Sequence, residues 1–440
     1  MMALQFAVVL VAIFLGARLG GIAIGFAGGL GVLVLALLGV TPGELPLPVI
    51  SIIMSVIAAV ATMQVAGGMD YLVDLADRVL RKHPRHLTFL APAITYLMTF
   101  MAGTGHTAFS TMPVIIELAK ENNIRPSRPL SVAVVASQIA ITASPVSAAV
   151  VVLAGFLEPK GVDYLQLLAV AIPSTFLACL ATAAIMMTID KVRGDTELST
   201  HPEYQRRLAA GTVTNVAGKA AQDRVIEPRA KLSVLIFLIG LLGVMSYAVA
   251  ISDKVGLIKN PVMDRDAAII TFMLSIAAVI VLVCKVATND VLSASTFKSG
   301  MSASICVLGV AWLGTTFVAE HESEITDFAG DLLQDHAWTL AVVLFFASAL
   351  LYSQAATTTA LMPTALAIGV APLAAVAAFP AVSALFVLPT YPTLLAAVQM
   401  DDTGTTRIGH AVFNHPFLLP GAINITIAVG LGFLFGSLIL

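Results

Sequence analysis

Residues 86–113 and 336–363 are two versions of one pattern, set 250 positions apart in the chain. Each begins at a His (His86, His336), runs through a long apolar stretch, breaks at small hydroxylated residues and closes on Met-Pro. The first break is Gly103-Thr104-Gly105-His106-Thr107 and the second is Ser353-Gln354-Ala355-Ala356-Thr357-Thr358. The loops leading into them carry opposite charge. Arg78, Arg81, Lys82 and Arg85 precede the first, whereas Glu320, Glu322, Glu324, Asp327, Asp331 and Asp335 precede the second. Basic loops stay on the cytoplasmic side of a membrane. Equivalent loops of opposite character therefore predict two halves that cross in opposite directions, with a binding site where they meet.

Composition places the pattern in a bilayer. Of the 440 residues, 58% are hydrophobic and 11% charged, where a soluble domain carries roughly 25% charged residues. Apolar runs lie at 3–17, 20–40, 49–77, 87–103, 106–119, 130–156 and 164–189, then at 232–251, 267–284, 300–319, 338–352, 356–371, 373–399 and 418–440. The expected fold is an all-α polytopic membrane protein. No cleavage site interrupts the first run, so no cleavable leader is expected. Cys179, Cys284 and Cys306 lie in or beside apolar segments and read as small core residues, without metal spacing.

The runs 87–103 and 106–119 are short for a bilayer of about 20 residues, and Lys or Arg flanks both. They read as one re-entrant hairpin with its tip at 103–107, and 338–371 reads as its counterpart from the other face, with its tip at 353–358. The chain then divides into a first inverted repeat (1–189), a cytoplasmic linker (190–231) and a second inverted repeat (232–440), each repeat holding five transmembrane spans and one hairpin. This topology puts 19 of the 23 Lys and Arg residues inside and four outside (Lys160, Lys254, Lys259, Arg265). Both termini are then extracytoplasmic.

Two further spans break in their middle. Thr142-Ala143-Ser144-Pro145-Val146-Ser147 interrupts 130–156, and Leu388-Pro389-Thr390-Tyr391-Pro392-Thr393 interrupts 373–399. Proline removes a donor and clashes with the preceding turn. In lipid the freed backbone groups must bond protein, water or a ligand. One such break reads equally as a proline kink with its hydroxyls bonded back to the helix; four matched breaks point to a shared cavity. The four segments hold Glu117 as their one Lys, Arg, Asp or Glu. An anion would thus be held by hydroxyls, exposed N–H groups and helix N-termini. The candidate substrate-binding residues are Thr104, Gly105, His106, Thr107, Ser144, Pro145, Ser147, Ser353, Gln354, Thr357, Thr358, Pro389, Thr390 and Thr393. His106 either donates to a carboxylate or sits satisfied in the tip.

Other features have blander readings. Gly21, Gly25 and Gly29 form a packing stripe, within a scaffold or at a homodimer interface. Gln64 is a lesser site candidate. Asp70, Asp74 and Asp77 read as solvated. The polar segment Gln399–Arg407 is a gate or, more simply, a capped turn. No enzyme motif is present, and no basic stretch interleaved with aromatics for nucleic acid.

At these residues the chain resembles the Dcu family of anaerobic C4-dicarboxylate transporters, and within it the DcuA branch. The resemblance runs end to end. It rests on Gly16-Ala-Arg-Leu-Gly-Gly21, Gly103-Thr104-Gly105, Ala143-Ser144-Pro145, Tyr352-Ser353-Gln354-Ala355-Ala356, Leu388-Pro389-Thr390-Tyr391-Pro392 and the run Gln399–Gly409. It implies uptake, efflux or exchange of succinate, fumarate, malate and aspartate across a bacterial inner membrane, linked to anaerobic respiration, without a cofactor. It further implies an elevator-type ion-transporter-like fold. Na+ or H+ is the coupling ion it leaves open. A Na+/H+ antiporter would need a buried carboxylate to carry its cation, and the broken segments lack one. An intramembrane enzyme would need a catalytic group that they also lack.

Overall fold

The computed structural model describes the chain apart from residues 1, 20–21, 46, 195–196, 214–226, 252–256, 295, 299, 303, 306–307, 311, 318, 322–337, 352, 389–390 and 410–413, and apart from a few further side chains, among them that of His106. The described residues are mostly α-helical and form no strand. The expected sites Pro389 and Thr390, as well as Gly21 and Cys306, lie outside them.

The N-terminal half begins with α1 (Met2–Leu19), α2 (Ala23–Leu37) and α3 (Leu47–Val65). Gly67 then takes a left-handed φ of +86°, a conformation that costs glycine little. The chain bends there by 68° into α4 (Gly68–Lys82). The expected run of 49–77 is thus two helices bent at Gly67 and not one straight span. α4 is amphipathic, with Leu72, Val73, Ala76 and Leu80 buried on one face and the pairs Asp74–Arg78 (2.8 Å) and Asp77–Arg81 (3.0 Å) one turn apart on the other. Gln64 is a joint between helices, since its Oε1 accepts from the Thr296 amide (3.1 Å).

The hairpin segments form α5 (Leu87–Ala102) and α6 (Ala108–Glu121), of 16 and 14 residues. The first broken span is α7 (Ser127–Ile139), a 3-10 turn (Ala140–Thr142) and α8 (Ala148–Leu157), followed by the 30-residue α9 (Tyr164–Arg193). A capping box at Asp163 and Gln166 starts α9. The linker contributes α10 (Pro202–Ala209).

The C-terminal half holds the remaining helices. α11 (Pro228–Ile251), α12 (Arg265–Cys284) and α13 (Thr288–Ser293) come first, and residues 296–321 are helical wherever described. The second hairpin is α14 (Thr339–Leu351) and α15 (Gln354–Ala367), of 13 and 14 residues. The second broken span is α16 (Pro372–Ala378), a 3-10 turn (Phe379–Ser383) and α17 (Pro392–Met400); α18 (Leu418–Ile439) ends the chain. All four hairpin helices fall short of the ~20 residues a full span needs.

Two layers of packing result. In the core, α9 and α18 lie antiparallel along one another, the Gln166 amide reaching the Ile439 carbonyl at 3.4 Å. Both touch α7, and α5 packs on α7 and α9. The halves interlock: α6 packs on α17, and α15 packs on α8. Outside this core, α3 packs on α12, and α2 on the segment 296–321. A methyl on Gly309 would lie 1.9 Å from the Gly25 carbonyl oxygen, and one on Gly28 would lie 2.4 Å from Gly309. Backbone thus meets backbone at Gly25 and Gly28, three positions apart, whereas Gly29 has open space beside it.

Candidate functional site

Each hairpin is stitched to the broken span of its own half. In the first, the Ser144 hydroxyl donates to the Phe100 carbonyl (2.6 Å). A side chain on Gly103, whose φ is +67°, would strike the Val146 carbonyl at 2.7 Å. In the second, Ser348 of α14 donates to the Ala381 carbonyl (3.1 Å) and accepts from the Ala384 amide (3.2 Å). The backbone groups of Phe100, Ala381 and Ala384 beside the breaks find partners in this way, as a membrane interior requires.

The two halves are joined by amides. Gln138, wholly buried near the end of α7, donates from Nε2 to the Thr393 hydroxyl (3.2 Å) and to Ser137 Oγ (3.3 Å). It receives Gln354 Nε2 at its own side-chain oxygen (3.2 Å) and backbone carbonyl (3.3 Å). A methyl on Gly105 would lie 3.0 Å from Gln138 Nε2. First tip, first broken span, second tip and second broken span therefore converge on Gln138. Gln354 opens α15, Thr393 is the second residue of α17, and Gly105 begins the turn into α6. Three helix N-termini carry the cluster, each biased toward negative charge.

Of the expected residues, the structure brings Gly105, Gln354 and Thr393 together around Gln138. The hydroxyls are mostly bonded locally. Thr107 pairs with Thr99 (2.7 Å). Ser147 caps α8, accepting from the Val150 amide (3.2 Å) and donating to Ile141 (2.6 Å). Ser353 caps α15 by accepting from the Ala356 amide (3.1 Å). Thr357 and Thr358 donate to carbonyls one turn back, Ser353 (2.8 Å) and Gln354 (2.7 Å). The Pro145 carbonyl accepts from the Tyr164 hydroxyl. Thr104 is half-buried at the first tip. Gln138 itself escaped the sequence reading. Its signal was there: it is the one amide or charged side chain in 130–156.

Glu117 lies at the hairpin foot, where Arg81 reaches it at 3.0 Å. The segment 399–407 is a closed turn. Buried Asp401 accepts from the Thr403 amide (3.1 Å), the Thr405 hydroxyl (2.9 Å) and the Thr406 amide (2.7 Å). Lys120 bonds Asp402 (2.8 Å), and Arg207 of α10 reaches the Asp402 carbonyl (3.3 Å) across Gly404. Arg207 and Arg206 hold the Glu203 carboxyl below its usual range. The linker also bonds Asn123, through the Leu198 amide (3.0 Å) and the Ser199 amide (2.8 Å). Beside the turn, a cavity of about 540 Å³ is lined by Arg125, Arg128, Arg193 and Arg407 with Asn414 and His415. Burial lowers the pKa of His415, against an opposing bond to the Val387 carbonyl.

The model of a family described as "Anaerobic c4-dicarboxylate membrane transporter" matches residues 1–440. The chain is 62% identical to the C4-dicarboxylate transporter DcuA of Wolinella succinogenes over 441 residues, covering 100% of both. It is 56% identical to the C4-dicarboxylate transporter DcuA of Escherichia coli K12, again over 100% of both. Identity is 36% to the anaerobic C4-dicarboxylate transporter DcuB of Escherichia coli O6:H1, over 99% of this chain and 98% of that one. Among solved structures, the Alcanivorax borkumensis YdaH transporter superposes with a TM-score of 0.56 at 16% identity, over 87% of this chain and 84% of its own. Neisseria gonorrhoeae MtrF, from a class of antimetabolite efflux pumps, gives 0.54 at 13% identity, over 86% and 80%. These two likenesses concern the fold.

Proposed function

Since the chain belongs to the family of anaerobic C4-dicarboxylate membrane transporters, we propose that it binds its dicarboxylate at the Gln138–Gln354–Thr393 junction and carries it by an elevator movement. The chain is a transporter and not an enzyme. The convergence of both tips and both broken spans on one buried amide carries the reading. The ligand set is donor-rich and uncharged. One carboxylate takes the first tip (Thr104, Thr107) with Ser144, and the other takes Ser353, Thr357 and Thr390. Gln138, Gln354 and Thr393 lie between, and Thr107 and Thr357 exchange their internal bonds for the ligand.

The substrates are succinate, fumarate, malate and aspartate, moved by exchange or with a co-transported cation across the inner membrane. The organisation is two inverted repeats, 1–189 and 232–440, around a cytoplasmic linker, with both termini periplasmic. The reciprocal packing of α6 on α17 and α15 on α8 supports that symmetry, as does the 19-to-4 distribution of Lys and Arg. The moving body comprises both hairpins and both broken spans together with α9 and α18, which are packed into them. The scaffold is α1–α3, α11, α12 and the segment 296–321. Site segments nearly free of formal charge lower the cost of passage through the bilayer. The arginine-lined cavity then faces the cytoplasm and concentrates dianions there.

Counterflow in proteoliposomes tests this. Vesicles loaded with unlabelled succinate should accumulate labelled succinate, and external fumarate, malate and aspartate should compete. Competition by monocarboxylates of equal size, and none by dicarboxylates, would overturn it.

A further inference from the structure

The arginine-lined cavity lies where two membrane-length helices meet the bilayer edge. α18 has 22 residues, about 33 Å of helix against a hydrocarbon core of about 30 Å. Its first turn therefore stands at one edge of that core. The antiparallel α9 meets the far end of α18 at Gln166 and Ile439, and its Met186 packs level with the start of α18, near Ile423. Met186 and Leu419 accordingly line the same cavity. α9 continues for seven more residues to Arg193, which sets that arginine about 10 Å farther out. The cavity thus runs from an apolar floor at the hydrocarbon edge to a basic rim at headgroup depth.

Its walls are built and charged. The Ser127 amide donates to the Thr405 hydroxyl (3.2 Å), tying the start of α7 to the closed turn. Arg125 Nε donates to Ser127 Oγ (3.0 Å), and Arg128 donates through two nitrogens to Asp190 in the last turn of α9. The Gly409 amide donates to the Asn414 carbonyl (2.7 Å). Among the described residues the lining holds four arginines and no Asp or Glu. Asp190 offsets Arg128. Glu203 lies 3.9 Å from Arg407 but is shared with Arg206 (2.7 Å) and Arg207 (2.9 Å). Positive charge is in excess, and Arg193 and Arg407 are exposed at the rim. The volume of about 540 Å³ falls within the roughly 300–1,000 Å³ of sites that take small molecules.

We infer that this cavity is a site for the headgroup of an anionic phospholipid. Arginine is suited to phosphate, which it can meet with two parallel N–H donors. Basic pockets between transmembrane helices at the membrane surface hold acidic headgroups in the same way. The apolar floor selects a lipid over a free anion: Leu419 lines the cavity and is also exposed, so a glycerol backbone and acyl chain can follow the phosphate out along α18. A seated headgroup would join α7, α9, α18 and the closed turn. Its single negative charge leaves the arginines in excess, so the cavity still draws dianions. The inference requires that the chain is embedded in a membrane and is independent of where the substrate binds.

Full-length protein purified in a neutral detergent tests this, with lipid added back and read by native mass spectrometry and melting temperature. Phosphatidylglycerol should be retained at least about tenfold more tightly than phosphatidylcholine with the same chains. It should also raise the melting temperature where phosphatidylcholine does not. Combining Arg193→Gln with Arg407→Gln should remove most of that preference, whereas Lys82→Gln, at an exposed charge on α4, should leave it within about twofold. The lipid comparison on the wild type decides the matter even if the double variant is unstable. Equal retention of the two lipids would overturn the site. Full preference in the double variant would overturn its location, and an equal loss in Lys82→Gln would reduce it to a diffuse basic surface. Displacement of phosphatidylglycerol by glycerol 3-phosphate would make it a site for free phosphates, and displacement by succinate a station on the substrate's path; either result would overturn the lipid assignment.

Discussion

Replacing Gln138 by Leu removes the side chain on which both halves converge while keeping its bulk. Three bonds disappear: the donations to Thr393 and to Ser137 and the acceptance from Gln354. Thr393 is left without that donor in a fully buried setting, which costs about 1–3 kcal/mol. Gln354 keeps its bond to the Gln138 backbone carbonyl and so loses only one ordinary hydrogen bond, about 0.5–1.5 kcal/mol. Together the loss is about 2–4 kcal/mol of stabilisation in the substrate-free protein, visible as a lowered melting temperature in detergent. Transport should suffer as well. A hydrogen bond to a charged group contributes about 1.5–3 kcal/mol, so KM for succinate exchange should rise about 10- to 100-fold. Gln138→Glu preserves size but converts a donor into an anion, and should be worse for a dianion than Leu while perturbing packing less. Wild-type KM and wild-type melting temperature in both variants would refute the assignment of Gln138 to the site.

Thr107→Ala and Thr357→Ala should each weaken succinate binding about tenfold or more with the fold retained, read by isothermal titration; unchanged affinity in both would remove these hydroxyls from the site. In a background lacking Cys179, Cys284 and Cys306, a cysteine placed at Ser323 should react with an impermeant thiol reagent in intact cells and one at Thr196 should not; the reverse would invert the topology. Gly404→Ala puts a methyl 2.4 Å from Arg207 Nε at a φ of +73°, and should undock α10, seen as faster hydrogen exchange across 197–212. His415, whose pKa is lowered by burial, stays neutral in the folded protein at pH values where the unfolded chain protonates. Stability should therefore fall as pH drops below the ordinary 6.5, and His415→Gln should flatten that decline; an unchanged slope would contradict it.

The hairpin tips were legible because small residues, hydroxyls and proline cannot continue an apolar helix without a purpose. Helices end at Ala102 and Leu351 and resume at Ala108 and Gln354, at the expected breaks. The turn at Gln399–Arg407 was legible too, since Asp401 followed by three threonines supplies its own carboxylate cage. The interruption at Gln64, Gly67 and Gly68 was legible as a break in the apolar run, but not its angle, because apolar residues continue beyond it on one face of α4. Gln138 was hidden for a different reason. A single amide in an apolar helix acquires meaning only from its partners, 216 and 255 positions away.

The crossed packing of α6 on α17 and α15 on α8 bears on how the chain is made. A ribosome delivers the first hairpin and first broken span well before their partners exist. For that interval the tip around Gly105 and the amide of Gln138 must be tolerated without Gln354 or Thr393. Maturation is thus a late event, completed when α15 and α17 enter the membrane and close both breaks together. Severing the chain in the linker and supplying the two parts from separate messages would leave this order free to vary, and the fraction of parts that find one another would measure how long the unfinished first half endures.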